Sequence, residues 1–239
     1  MPPERLTELN VGTVFDYNNQ CIVIVPSFLP EPGATDQDYV EEVANLLSDV
    51  FRRTDGRALT LFTSYTMLRK TSRIISEALA GTGVQLLAQG ESGSRENITE
   101  LFKHDVASVL MGTHSFWEGV DMVGETLSCL VMARLPFAVF TDPIIEARCE
   151  QVEAEGGNAF MHYSVPNAVI KFRQGFGRLI RHRTDRGVVI ITDRRIISKR
   201  YGDWFRRSLP VRTTAIPDKD EFLDRITTFL DKVNQPLRG

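Results

Sequence analysis

The sequence predicts an α/β fold, a doubly wound three-layer sandwich around a mostly parallel sheet, and three observations carry that expectation. Six short apolar runs recur, at 21–25, 58–63, 84–88, 107–111, 127–133 and 187–192. Their apolar residues are consecutive rather than alternating, which suits strands buried on both faces, as in a parallel sheet. Stretches of helical periodicity fall between them, and strand alternating with helix is the signature of this class. At 239 residues the whole chain, 1–239, reads as one large domain.

The elements follow in order. Residues 1–13 read as an extended lead-in. The run at 21–25 is closed off by Pro26, Pro30 and Pro32, with a loop at 31–33. A helix over 36–53 carries Val40, Val43, Ala44, Leu47 and Val50 on one face, with Asp36 as its N-cap. The strand at 58–63 leads into a helix over 66–80 through Leu68, Ile74, Ile75 and Leu79, which stops at Gly81. Residues 90–94 read as a loop. The connection 135–166 holds Pro136, Pro143, a charged helix near 144–155 and Gly156-Gly157, and reads as an excursion from the sheet core. Phe222, Ile226, Phe229 and Leu230 make 218–233 an amphipathic terminal helix followed by a tail to 239.

Composition removes several function classes. No apolar run approaches the roughly 18 residues of a membrane span, and Met1-Pro2-Pro3-Glu4-Arg5 lacks the layout of a secretory signal, so a cytoplasmic setting is expected. Cys21, Cys129 and Cys149 are too far apart for a zinc or iron–sulfur site and read as buried thiols; the four histidines are equally scattered, so no metal site is expected. The net charge of −3 conceals a local block: from Lys171 to Arg207, 12 basic side chains stand against 3 acidic ones, or +9. Such a block attracts a polyanion even on an acidic protein, because screening confines each charge to about 8–10 Å.

Three stretches carry chemistry. In Phe172-Arg173-Gln174-Gly175-Phe176-Gly177-Arg178-Leu179-Ile180-Arg181, a helix would set Gln174, Arg178 and Arg181 on one face, and two guanidiniums with an amide form a phosphate receptor. A solvated basic helix is the plainer alternative. Against it, Gly175 and Gly177 each cost a helix interior about 1 kcal/mol, which implies close packing on that backbone, and Leu179-Ile180 seat the segment on a core. The second stretch, Gly112-Thr113-His114-Ser115-Phe116-Trp117-Glu118-Gly119-Val120-Asp121, empties from a strand into a loop of hydroxyls and carboxylates, where such sheets present ligand contacts. It also reads as a structural turn plugged by Phe116 and Trp117. In the third, Leu61-Phe62-Thr63-Ser64-Tyr65, a hydroxyl either caps the following helix or meets a nucleic-acid phosphate.

In this order the three stretches resemble the second RecA-like motor domain of superfamily 2 DNA helicases of the DinG/XPD group. Residues 59–65 look like motif IV, 112–121 like motif V, and 174–181 like motif VI, Q-x-x-G-R-x-x-R. Phe15-Asp16-Tyr17, Leu135-Pro136-Phe137, Asp185-Arg186-Gly187 and Thr192-Asp193-Arg194-Arg195 agree as well. The likeness runs from about residue 14 to 209 and is nearer to bacterial DinG-type proteins than to XPD. The phosphate loop G-x-x-x-x-G-K-[ST] and the acidic magnesium motif of a complete helicase do not occur in the chain. The iron–sulfur cysteines of many relatives belong to the other motor half. The resemblance therefore implies a partner, the N-terminal RecA-like motor domain of the same protein, which would hold most of the ATP and Mg2+; without it the chain is expected to be inactive.

The resemblance also assigns roles. Arg178 and Arg181 would be arginine fingers, and Gln174 would position the γ-phosphate or the attacking water. Gly177 would approach the nucleotide with Glu118, Gly119 and Asp121, of which Asp121 would be nearer to it; these three would couple nucleotide state to nucleic acid. Thr63, Ser64, Thr113 and Ser115 would meet the backbone of single-stranded DNA. A non-catalytic nucleic-acid-binding module with the same fold is the alternative expectation.

Overall fold

All six apolar runs form strands of one sheet: β1 (Cys21–Pro26), β2 (Ala58–Leu61), β3 (Gln85–Ala88), β4 (Ser108–Gly112), β5 (Cys129–Met132) and β6 (Gly187–Ile191). A seventh, β7 (Thr213–Ile216), lies at one edge. This computed structural model describes residues 14–33, 37–117, 127–138 and 142–234. The expected lead-in 1–13, the N-cap Asp36, the motif V residues Glu118, Gly119 and Asp121, and the tail 235–239 lie outside the described residues.

The strand order is β3-β4-β2-β5-β6-β1-β7, and every pairing is parallel. Strands β2, β4, β5 and β6 are buried along their whole length, β1 at all but Ile22, and alternate residues feed opposite faces. In β6, Val188 and Ile190 join one core while Val189 and Ile191 join the other. On the first face pack α2 (Gln37–Arg53), α3 (Tyr65–Leu79) and α10 (Lys219–Asn234), through residues such as Val43, Leu68 and Phe222. The second face is covered by α4 (Arg95–His104), α5 (His114–Trp117), α7 (Val165–Phe176) and α9 (Gly202–Ser208), through Phe102, Phe116, Phe172 and Phe205. Short helices α1 (Tyr17–Gln20) and α8 (Arg195–Ser198) sit at strand ends. Within the 135–166 connection, α6 (Pro143–Ala154) buries none of its side chains, and a π-helical turn at Phe160–Ser164 joins it to α7.

Several boundaries differ from the sequence expectation. The helix expected over 66–80 begins at Tyr65, because Ser64 is its N-cap and accepts a long hydrogen bond from the Met67 N–H at 3.4 Å. Neither β7 nor α4 stood out from its pattern. Thr214 and Ala215 of β7 are exposed, as befits an edge strand with no need of an apolar run. Cys149, expected to be buried, is only partly so on α6, while Cys21 and Cys129 are fully buried. Among the described residues no helix is long and apolar enough to cross a membrane.

Register brings the ligand-bearing loops together. Leu61 pairs with Gly112 and with Met132, and Met132 pairs with Ile191, so the carboxyl ends of β4, β2, β5 and β6 stand level. Thr63, Thr113 and Asp193 each follow one of these ends, which is where open parallel sheets present their ligand contacts.

Candidate functional site

Trp117 joins the three motif-bearing stretches. Its indole N–H donates to the Phe62 carbonyl at 3.0 Å, tying the end of β4 to the end of β2. The indole ring lies on Gly175 of α7, so close that a Cβ there would stand 2.8 Å from ring atom Cζ3. The Trp117 carbonyl accepts from Arg178 Nη2 at 2.8 Å and Nε at 3.2 Å. The aromatic pair is therefore a buried plug, with Phe116 at 0% and Trp117 at 2% exposure, and the same plug orients an arginine.

The 172–181 segment departs from the expected helix. α7 ends at Phe176, Gly177 caps it, and the chain continues in tight turns in which Arg178 N–H donates to the Gly175 carbonyl and Leu179 N–H to that of Phe176. Offsets of four and three thus do not set Gln174, Arg178 and Arg181 on one helical face. Burial of Leu179 (2%) and Ile180 (4%) turns the backbone inward and takes the place of a further helical turn. Close packing holds for Gly175 but not for Gly177, where a Cβ would meet nothing nearer than 3.5 Å. Gln174 and Gly177 are exposed, and Arg178 and Arg181 are half-buried. Burial lowers the Arg181 guanidinium below arginine's usual range, and the nearby Asp185 carboxylate offsets part of that. Asp185 also accepts the main-chain N–H groups of Arg181 and His182, while Gln20 Nε2 donates to the carbonyls of His182 and Asp185, so the loop after the arginines is held from two sides.

At the ends of β2, β3 and β4 the organiser is Gln89, a residue without a motif. Its Oε1 accepts from the Thr113 N–H at 2.7 Å and the Thr113 hydroxyl at 2.9 Å. Its Nε2 donates to the Tyr65 hydroxyl at 2.6 Å and to Ser115 Oγ at 3.0 Å. Thr113 was expected on the strand-facing surface; it is 4% exposed with its hydroxyl turned inward. Thr63, Ser64 and Ser115 are half-buried. Thr63 lines a cleft with His114, Trp117, Phe137 and Lys171, where Lys171 Nζ lies 3.0 Å from His114 Nε2.

The far wall of that cleft is anchored by Asp193, at 0% exposure. Its carboxylate accepts from the Leu135 N–H at 3.0 Å and from Arg195 Nη2 at 2.6 Å, which fixes Leu135-Pro136-Phe137 against the end of β6. Burial pulls the Arg195 guanidinium down, but the hydrogen bonds and charge of Asp193 outweigh it and hold it above its ordinary value. Beside this pair, Tyr39 and Thr192 both donate to the Ala133 carbonyl, at 2.7 and 2.8 Å.

A family model of the helicase C-terminal domain matches residues 47–212. The chain belongs to that family. Among relatives of this helicase C-terminal domain, the ATP-dependent DNA helicase YoaA of Haemophilus influenzae is 38% identical over 207 residues, 87% of this chain and 31% of that protein. The ATP-dependent helicase DinG of Mycobacterium tuberculosis is 37% identical over 202 residues, 84% of this chain and 30% of that one. The chain thus spans about a third of the length of these relatives. Among solved structures, Xpd4 of S. tokodaii superposes with a TM-score of 0.57 at 18% identity, covering 90% of this chain and 42% of that one. Dbp5 of S. cerevisiae, bound to RNA and ADP BeF3, gives 0.54 at 17%, covering 92% and 46%. At such identities the likeness is one of fold, and the fold is RecA-like. The relatives matched by sequence carry the DinG and YoaA names, and XPD is a neighbour in fold.

Proposed function

We propose that this chain is the second motor domain of an ATP-dependent DNA helicase, supplying arginine fingers to an inter-domain ATP site and backbone contacts to single-stranded DNA. The observation that carries this reading is the Trp117 junction, in which one residue binds the end of β2 and packs on α7 through its indole and orients Arg178 through its main-chain carbonyl. An arginine with one edge fixed on a main-chain carbonyl directs its charge without reorganisation, which is what stabilising a developing negative charge requires. Two half-buried guanidiniums and an exposed amide suit the terminal phosphates of a nucleotide. Following the family resemblance, Mg2+ is assigned mainly to the first motor domain. When bound, ATP with its metal supplies the phosphoryl group whose transfer to water drives the motor.

In this reading Arg178 and Arg181 neutralise charge on the transferring group, and Gln174 orients the group or the water. Gly177 leaves the backbone open beside them, and Glu118, Gly119 and Asp121 link nucleotide state to the strand. Thr63, Ser64 and Ser115 meet the DNA backbone, with Thr113 acting from behind through Gln89. Contacts to phosphate position a strand without reading its sequence, as a translocating enzyme needs. The test joins the chain to a first motor domain and replaces Arg178 with alanine. DNA-stimulated ATP turnover should fall by about 10³-fold or more with DNA affinity retained; turnover near that of the unaltered protein overturns the finger assignment. The 239-residue chain alone should not hydrolyse ATP.

A further inference from the structure

The polarity of the Gln89 hydrogen bonds is determined by chemistry. A main-chain N–H can only donate, so the amide atom facing Thr113 N at 2.7 Å is the acceptor Oε1. The other end is then the NH2 group, which can only donate. Both of its bonds go to hydroxyl oxygens, those of Tyr65 and Ser115. All four hydrogen-bonding positions of the amide are thereby used, and its main-chain N–H is pinned to the Met111 carbonyl at the end of β4. A hydroxyl whose oxygen accepts from Gln89 keeps its own hydrogen for another acceptor. The two hydroxyls share one nitrogen and so stand within reach of a single phosphate group. Tyr65 is 48% exposed, and its ring opens the helix that Ser64 caps.

We infer that Tyr65 and Ser115 form a two-donor clamp for one backbone phosphate of the single strand, with Gln89 as the positioning residue that turns both O–H groups outward. The clamp rests on the strand-binding part of the proposed function and adds two residues, Tyr65 and Gln89, that lie outside its assigned contacts. It is neutral, so it contributes affinity without releasing counterions, unlike a contact made by lysine or arginine.

The experiment is a fluorescence-anisotropy titration of the chain joined to a first motor domain with a labelled single-stranded oligonucleotide of mixed sequence, across a range of salt concentrations. Tyr65→Phe keeps the ring and removes only the hydroxyl. It should weaken binding about tenfold, equally at every salt concentration, leaving the slope of log affinity against log salt unchanged. In a Gln89→Glu background the carboxylate accepts both hydroxyl hydrogens and draws them inward, so Tyr65→Phe should cost nothing further. The clamp is overturned if Tyr65→Phe binds like the unaltered chain, or if it costs the same factor in both backgrounds. Should Gln89→Glu fail to fold in a thermal melt, Ser115→Ala replaces it. Two donors on one phosphate then predict a double variant weaker than either single one but stronger than their losses multiplied, and independent losses overturn the clamp. A joined protein with all its side chains unaltered that binds no single strand at all sinks the strand-binding reading itself, a result distinct from failure of the clamp alone.

Discussion

One oxygen atom, the Trp117 carbonyl, receives two donors of Arg178, and the ring of the same residue presses on Gly175. The two glycines of this stretch should therefore respond in opposite ways to alanine. At Gly175 the new Cβ would lie 2.8 Å from a buried indole and 3.3 Å from Leu61 Cδ1, and overpacking of this kind costs about 1–3 kcal/mol, more than the helix propensity gained. At Gly177 a Cβ would make only ordinary contacts, at 3.5 Å, and φ is −63°, so Gly177→Ala should be neutral or stabilise by up to about 1 kcal/mol. Thermal melts of the two variants check this, and a lowered melting temperature for both would contradict it. Close packing at Gly175 was legible in the sequence, because a glycine inside a helix needs a reason. The roles of Trp117 and Gln89 were not, since their partners come from strands far apart in the chain and no local pattern marks such a meeting.

At the scale of elements, the end of β6 secures the connection that leaves β5. Asp193 is fully buried and receives Leu135 N–H and Arg195 together. Asp193→Asn removes the charge that compensates a partly buried guanidinium, and breaking such a pair costs about 3–5 kcal/mol. Urea denaturation should register a loss of that order with an unchanged slope, whereas a loss under about 1 kcal/mol would mean the pair is not structural. The strands buried on both faces were legible as apolar runs, and all six appear within a residue or two of their expected bounds. Edge strand β7 was not, because half of it faces water. The end of α7 was misjudged for a related reason: arginine spacing describes a helix only while the helix lasts, and burial of Leu179 and Ile180 ends it early.

For the whole molecule, the two cores on either face of the sheet each enclose a thiol, Cys129 in one and Cys21 in the other. Burial pushes both thiols up to about 12. In the unfolded chain they ionise near about 8.5, so between about pH 9 and 12 the unfolded state has lost protons that the folded state still holds. Stability therefore falls as pH rises through that window, by about 1.4 kcal/mol per pH unit for each thiol, and is unaffected by these groups below it. Denaturation midpoints at pH 8 and pH 10 should show the fall, and Cys21→Ser with Cys129→Ser should remove this share of it. Tyr39, raised chiefly by burial, adds to the loss at the alkaline end.

Only two tryptophans occur in the chain, and they occupy opposite environments: Trp117 is enclosed and hydrogen-bonded at the junction, while Trp204 is 49% open to solvent. With Trp204 replaced by phenylalanine, the tryptophan emission of this chain comes from the junction alone. Any rearrangement that loosens the grip between β2, α7 and Arg178 would then shift the colour of that light, giving an unlabelled optical gauge of the junction itself.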